Sequence, residues 1–246
     1  MQTPILGKNY NGGRSYPIIS SYKDNKTGYF RTTFEDRMQA LIGAVYEKIY
    51  QIGSVFRSEN ESTFLEGYIS DIGWEEGKTI IKNMLGFCVN TLIDSGIGEP
   101  TQYINKVVNK EWIEVDLFEE VNKLFGIDED VFANNIEETK KVLILNGVIN
   151  NEDLSVESLA DKTANYIAQQ RSWPTIVNGF PIWSSPLYKE KSRGKLFRCR
   201  LYFPPLSGGF ELGVQENKYS KFLDRIKKQR DRWKLDIEDE RIAGSD

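Results

Sequence analysis

Between Phe34 and about residue 171 the apolar side chains recur three and four positions apart, and beyond Trp173 they recur at every second position. The first spacing lays a stripe along an α-helix and the second fills one face of a pleated strand. The chain therefore reads as a run of helices followed by a small sheet. Phe34, Met38, Leu41, Ile42, Val45, Tyr46 and Ile49 make the first stripe, with Thr33 and Asp36 spaced as a capping box ahead of it. A second helical stretch opens near Thr63, with Glu66 in the matching box position. It breaks around Gly73–Gly77, resumes through Ile80, Ile81, Leu85, Val89 and Leu92, and ends before Gly96. Further helices are expected at about 111–125, 130–146 and 154–171, with Gly126 and Gly147 as stop signals.

After Trp173, Asn178-Gly179 stands between two β-prone runs, a hairpin signal because both residues tolerate positive φ. Pro181 lacks an N–H, so its strand should be an edge or should bulge there. Phe197, Cys199, Leu201 and Phe203 alternate with Leu196, Arg198, Arg200 and Tyr202, then Pro204–Gly209 turns the chain into a strand carrying Phe210, Leu212 and Val214. Three or four antiparallel strands fit this stretch. A helix at about 217–235 closes it, with Tyr219, Phe222, Leu223, Ile226 and Trp233 as its apolar stripe. Trp173 and Trp233 are expected in the core of this C-terminal unit. The expected class is α+β: a mostly helical bundle with an extended N-terminal arm, a small C-terminal antiparallel sheet and a terminal helix.

Charge divides the chain in the same places. Residues 1–32 carry a net +4, residues 33–184 a net −13, residues 185–235 a net +9 and residues 236–246 a net −4. Four segments follow: a basic extended arm at 1–32, an acidic helical domain at 33–172, a basic sheet and helix unit at 173–235, and an acidic tail at 236–246. In the arm, Gly7, Gly12, Gly13, Gly28, Pro4 and Pro17 break any helical period, while Tyr10, Tyr16, Tyr22 and Tyr29 give it groups with which to dock. The arm is expected to lie along a surface and to become ordered by contact with a partner or another copy.

The chain has no histidine. Ser-His-Asp and Cys-His catalysis are excluded, together with His-ligated zinc and iron. Two cysteines, Cys88 and Cys199, cannot build a zinc site, and both sit in apolar runs as small buried side chains. A bound metal would need oxygen ligands, as Mg²⁺ does; no cofactor is expected. No apolar run reaches the roughly 20 residues of a membrane span and no signal peptide opens the chain, so the expected location is the cytoplasm or a virion, without membrane contact.

Neither a P-loop nor a dinucleotide-binding glycine pattern occurs, and Asp128-Glu129-Asp130 lacks the rest of an EF-hand loop. Glu211 in a strand with Glu216 and Lys218 just beyond it offers an E-x-K arrangement, as in Mg²⁺-dependent nucleases of the PD-(D/E)XK type. A second candidate is a cationic face of Arg198, Arg200 and Tyr202 on one strand side, with Lys221, Arg225, Lys228 and Arg232 along the last helix. Guanidinium groups fork onto phosphates or carboxylates, so this face suits nucleic acid or an acidic protein surface. The segmented charge favours a non-enzymatic structural or adaptor subunit of a larger assembly, such as a viral or contractile particle or a nucleoprotein complex. Its partners would be protein subunits of the same or a neighbouring type, and nucleic acid. The alternatives are the nuclease and a nucleic-acid binding module.

Overall fold

A computed structural model describes residues 2–7, 18–21, 27–57, 60–99, 101–109, 111–150, 156–204 and 209–233. The chain forms two compact units, one of residues 1–72 and 230–246 and one of residues 73–229.

In the first unit, β1 (Leu6–Gly7), β2 (Ile19–Ser21) and β3 (Thr27–Phe30) make a three-stranded antiparallel sheet in the order β1-β3-β2. α1 (Glu35–Ala44) leads into β4 (Lys48–Arg57), which pairs antiparallel with β5 (Asn60–Ile69) from Lys48↔Ile69 to Arg57↔Asn60. This hairpin corrects the helical reading of residues 48–49 and 63–69, and α1 stops short of residues 45–47. Its inward face carries Ile49, Gln51, Gly53 and Val55 opposite Tyr68, Glu66, Phe64 and Ser62, so two of the buried or half-buried positions are polar and one is glycine. The outward face exposes Tyr50, Ile52 and Leu65. Apolar alternation is thus inverted, and the spacing of Val45, Tyr46 and Ile49 imitates a continuing helix. Phe34 and Met38 close the small core over Val55. Thr33 Oγ1 accepts a hydrogen bond from Glu35 N at 3.1 Å, but Glu66 lies on β5 and caps nothing locally.

The described part of residues 1–32 packs on its own unit. Thr3 N donates to Gln51 Oε1 at 3.1 Å, Phe56 N donates to Arg31 O at 2.9 Å, and the rings of Phe30 and Phe56 stand 5.0 Å apart. An arm ordered only by a partner is therefore corrected for these residues; Tyr10, Tyr16 and Tyr22 lie outside the described residues, as does the tail 236–246.

The second unit begins with α2 (Trp74–Asp94) and α3 (Gln102–Val108), followed by β6 (Ile113–Asp116) and α4 (Leu117–Phe125). α5 (Glu129–Asn134), α6 (Ile136–Leu145) and α7 (Val156–Gln169) complete its helical layer. Asp116 caps α4 by accepting from Phe118 N at 3.0 Å, and Gly126 ends it at φ +67°. β7 (Thr175–Asn178) and a 3₁₀ turn (Ile182–Ser184) lead to β8 (Glu190–Ser192) and β9 (Lys195–Leu196), which pair with each other. β10 (Arg198–Tyr202), β11 (Gly209–Gly213) and α8 (Tyr219–Trp233), the last up to residue 229, follow. The main sheet runs β11-β10-β7-β6, parallel between β6 and β7 and antiparallel elsewhere.

Both faces of that sheet are covered. Ile176, Cys199 and Leu201 pack with Trp74, Ile81 and Leu85 of α2. Val177 and Tyr202, on the opposite face, join the core built by Phe118, Phe132, Leu143, Ile167 and Trp183. Asn178-Gly179 makes no two-residue hairpin, because β7 pairs with β10 and β6 instead. Gly179 takes φ +75°, and a Cβ there would fall 2.7 Å from an Asp116 carboxylate oxygen, so the close approach demands glycine. Four sheets and eight helices are present among the described residues, which overturns the mostly helical bundle with a single C-terminal sheet.

Candidate functional site

The alternation of β10 places Arg198, Arg200 and Tyr202 on one side, as the sequence suggests, but that side lies under α7. Arg198 is 1% exposed. A buried guanidinium is tolerated only with its charge and donors matched. Arg198 donates from Nε to Glu211 Oε1 at 3.0 Å, from Nη2 to Glu211 Oε2 at 3.0 Å and to Asp161 Oδ1 at 2.7 Å, and from Nη1 to Ser184 Oγ at 3.2 Å. Its guanidinium carbon stands 4.3 Å from the centre of the Phe180 ring. Burial works against its charge, yet Glu211 and Asp161 outweigh that and hold its proton more firmly than usual.

Glu211 answers in the opposite direction. Burial would raise its pKa, but the charge and hydrogen bonds of Arg198, the Tyr188 hydroxyl and Arg200 pull it down to about 2. Tyr188 donates to Glu211 Oε1 at 2.5 Å. Its ring occupies the space of a side chain at residue 213, which is glycine; a Cβ there would meet the ring at 2.1 Å. Arg200 Nη1 reaches Asp161 Oδ1 at 3.3 Å and its Nε is 3.8 Å from Glu211 Oε2.

The expected solvent-facing cationic surface is corrected here. Arg198 and Tyr202 are buried, Arg200 is half-buried, and Asp161 of α7 and Glu211 of β11 neutralise the pair of arginines. Arg225 pairs with Glu216 at 3.4 Å and donates to the Tyr188 carbonyl, Lys221 is exposed, and Lys228 pairs with Asp224 at 2.9 Å. Arg232 lies on α8, with its side chain outside the described residues, as is that of Trp233. Trp173 is half-buried, its ring centre 5.3 Å from Lys106 Nζ. The nuclease arrangement does not assemble. Glu211 is held by arginine and tyrosine, Glu216 by Arg225, and Lys218 is exposed with its backbone N–H on Glu216. Among the described residues no group of three or more acidic, cysteine or histidine side chains is placed to hold a metal ion.

Sequence reasoning passed over a second constellation, on the hairpin of the first unit. Arg57 ends β4 exposed, its Nε donating to Thr32 O at 2.9 Å and its guanidinium 4.4 Å from the centre of the Phe64 ring. Glu66 accepts from Thr33 Oγ1 at 2.8 Å and Phe34 N at 3.2 Å. Burial raises its pKa, against the opposing pull of those two donors and of the Arg57 and Arg31 charges. Arg31 is buried beneath them, donating from Nε to Ser54 O and from Nη1 to Thr3 O, each at 2.7 Å. Burial lowers its pKa, only partly offset by Glu66. Gly53 makes room for it, since a Cβ would come within 3.1 Å of Arg31 Nη2. The signal in the sequence is a pair of charged residues, Arg57 and Glu66, on strands that also turn Ile49, Val55, Phe64 and Tyr68 inward.

Comparison with known proteins matches residues 1–228 to the family model of the class II tRNA synthetases (D, K and N). The chain is 27% identical over 219 residues to a probable cytoplasmic lysine–tRNA ligase of Enterocytozoon bieneusi, covering 77% of this chain and 41% of the relative. It is 26% identical over 261 residues to the lysine–tRNA ligase of Prochlorococcus marinus, covering 96% and 46%. With that of Sulfolobus acidocaldarius the identity is 27% over 246 residues, covering 92% and 46%. The chain spans less than half the length of these three relatives. These matches overturn the expected non-enzymatic subunit of a virion or contractile particle, and neither the nuclease nor the stand-alone nucleic-acid binding module accounts for them. A match over nearly the whole chain places this protein among the class II tRNA synthetases (D, K and N).

Proposed function

We propose that this protein is a ligase that joins an amino acid to tRNA, with lysine as the amino acid. The observation that carries this reading is the family match across residues 1–228, together with relatives that are lysine–tRNA ligases. The side chains suit the task. An amino-acid carboxylate and the phosphates of a tRNA end are anions that guanidinium groups hold well, and the ammonium groups of lysine call for carboxylates. Arg57 and Glu66 offer one such pair on the hairpin, with Arg57 at the exposed end of its strand. None of this needs histidine, because ester formation on an activated carboxylate relies on positioning and on stabilising negative charge. The nucleic-acid partner is then tRNA, and the cytoplasm is the proposed location, in keeping with the description of the Enterocytozoon relative.

Ester formation in water is uphill, so the assay supplies a nucleoside triphosphate. Purified protein is incubated with it, with total tRNA, and with labelled lysine, aspartate or asparagine in separate reactions. Acid-precipitable label with lysine above the other two supports the reading. Label with aspartate or asparagine instead moves the specificity within the family, and no label with any of the three overturns the proposal.

A further inference from the structure

α7 turns a polar stripe away from the core. Lys162, Asn165 and Gln169 follow one another at three- and four-residue spacing, with Asp161 and Tyr166 beside them. Arg200 of β10 faces this stripe, and these six side chains line most of an open cleft of about 590 Å³. The donors of Arg200 are incompletely used. Its contact with Asp161 is 3.3 Å, against 2.7 Å for the contact of Arg198 with the same oxygen. Its Nε is buried and, among the described residues, has no hydrogen-bond partner. A buried donor left unmatched is a standing penalty, which the side chain sheds by turning that edge to a ligand oxygen.

We propose that this cleft takes a small oxyanion, carboxylate or phosphate, on Arg200, and that Asp161 is the internal anion with which it competes. One carboxylate oxygen serves two guanidiniums here. When Arg200 turns to an incoming oxyanion, Asp161 keeps its shorter contact with Arg198, so the exchange strands no charge. The guanidinium edge offers two parallel donors, the match that planar carboxylates and phosphates prefer. Lys162 adds a second cation on the same wall, while Asn165 and Gln169 contribute amide donors. The site rests on the geometry of α7 and β10 and does not depend on which amino acid the protein joins to tRNA.

Isothermal titration of the full chain with sodium phosphate and, separately, sodium acetate, at constant ionic strength in chloride, tests this. Replacing Asp161 with Asn should tighten binding about tenfold, and replacing Arg200 with Gln should weaken it by at least about tenfold. Tighter phosphate than acetate assigns the cleft to a phosphate group, and the reverse assigns it to a carboxylate. Equal affinity in wild type and D161N, R200Q binding as well as wild type, or no binding by wild type and D161N, overturns the proposal. Should R200Q not fold, carbon-detected NMR of the wild type decides: an Asp161 carboxylate resonance that neither anion moves at saturation also overturns it.

Discussion

Arg198 and Glu211 meet diagonally across two strands, through two nitrogen–oxygen contacts of 3.0 Å. The register partner of Glu211 is Arg200, and the residue opposite Arg198 is Gly213. The missing side chain at 213 admits the Tyr188 ring, whose hydroxyl donates to Glu211. Arg198 thereby locks β10, β11, α7 and the turn at Ser184 to one another.

Replacing Arg198 with Met removes that lock while keeping most of the side-chain volume. Two carboxylates, Asp161 and Glu211, then keep only the longer contacts of Arg200. Breaking a buried ion pair on one side destabilises by about 3–5 kcal/mol. Arg200→Gln, at a side chain 24% exposed and with longer contacts, should cost only about 1 kcal/mol. Urea unfolding of both variants checks the ordering; equal losses would mean that the pair acts as one unit.

The two carboxylates of the candidate sites shift in opposite directions, so their pH effects have opposite signs. Glu211 is held down to about 2, below its unfolded value of 4.5. Its contribution is fully present above about pH 4.5 and is lost as pH falls toward 2. Partial solvent exposure keeps it to about 1 kcal/mol. Glu66 is raised, so the folded state binds the proton more tightly than the unfolded chain does. Its contribution is largest below pH 4.5 and declines as pH rises through its elevated pKa. Melting curves of Glu66→Gln and wild type should therefore differ with a pH dependence above 4.5, and Glu211→Gln and wild type with one below it.

The two strands and helix at the C-terminal end were legible because their patterns obey simple periods. β10 and β11 alternate, and α8 keeps apolar and basic stripes apart. The β4–β5 hairpin was not, because Gln51, Gly53 and Glu66 face inward while Tyr50, Ile52 and Leu65 face water. Asn178-Gly179 carried a true signal for a positive φ, which the chain spends on close approach to Asp116 rather than on a hairpin. The arginine site was half legible. Spacing put Arg198 and Arg200 on one face, but their partner Asp161 lies 37 positions earlier, on a helix, where no strand period can point to it.

Cysteine reactivity should separate the two thiols. Cys88 is exposed and Cys199 is buried, and neither is in a disulfide. Burial pushes the Cys199 thiol up to about 12, so almost no thiolate forms at neutral pH. An aromatic disulfide reagent should titrate one thiol per folded chain, and the second only in denaturant. Two fast equivalents would mean that the sheet opens between β10 and α2.

Arg57 gives the most direct link between geometry and proposed activity. It ends a strand, is exposed, and is steadied by the Thr32 carbonyl and the Phe64 ring. A Gln at this position keeps a donor and loses the charge. An exposed substitution of this kind usually changes stability by about 0.5 kcal/mol or less. If the guanidinium holds an anionic group of the substrates as negative charge develops, transfer of lysine to tRNA should fall by about 10²- to 10³-fold. Arg57→Lys, which restores the charge without the two-pronged fork, should recover part of that loss. The measurement is the initial rate of lysine attachment for the three proteins, alongside their melting temperatures. Unchanged rates in Arg57→Gln would take this residue out of the substrate site, and a large drop in melting temperature would show that its contacts with Thr32 and Phe64 serve the fold.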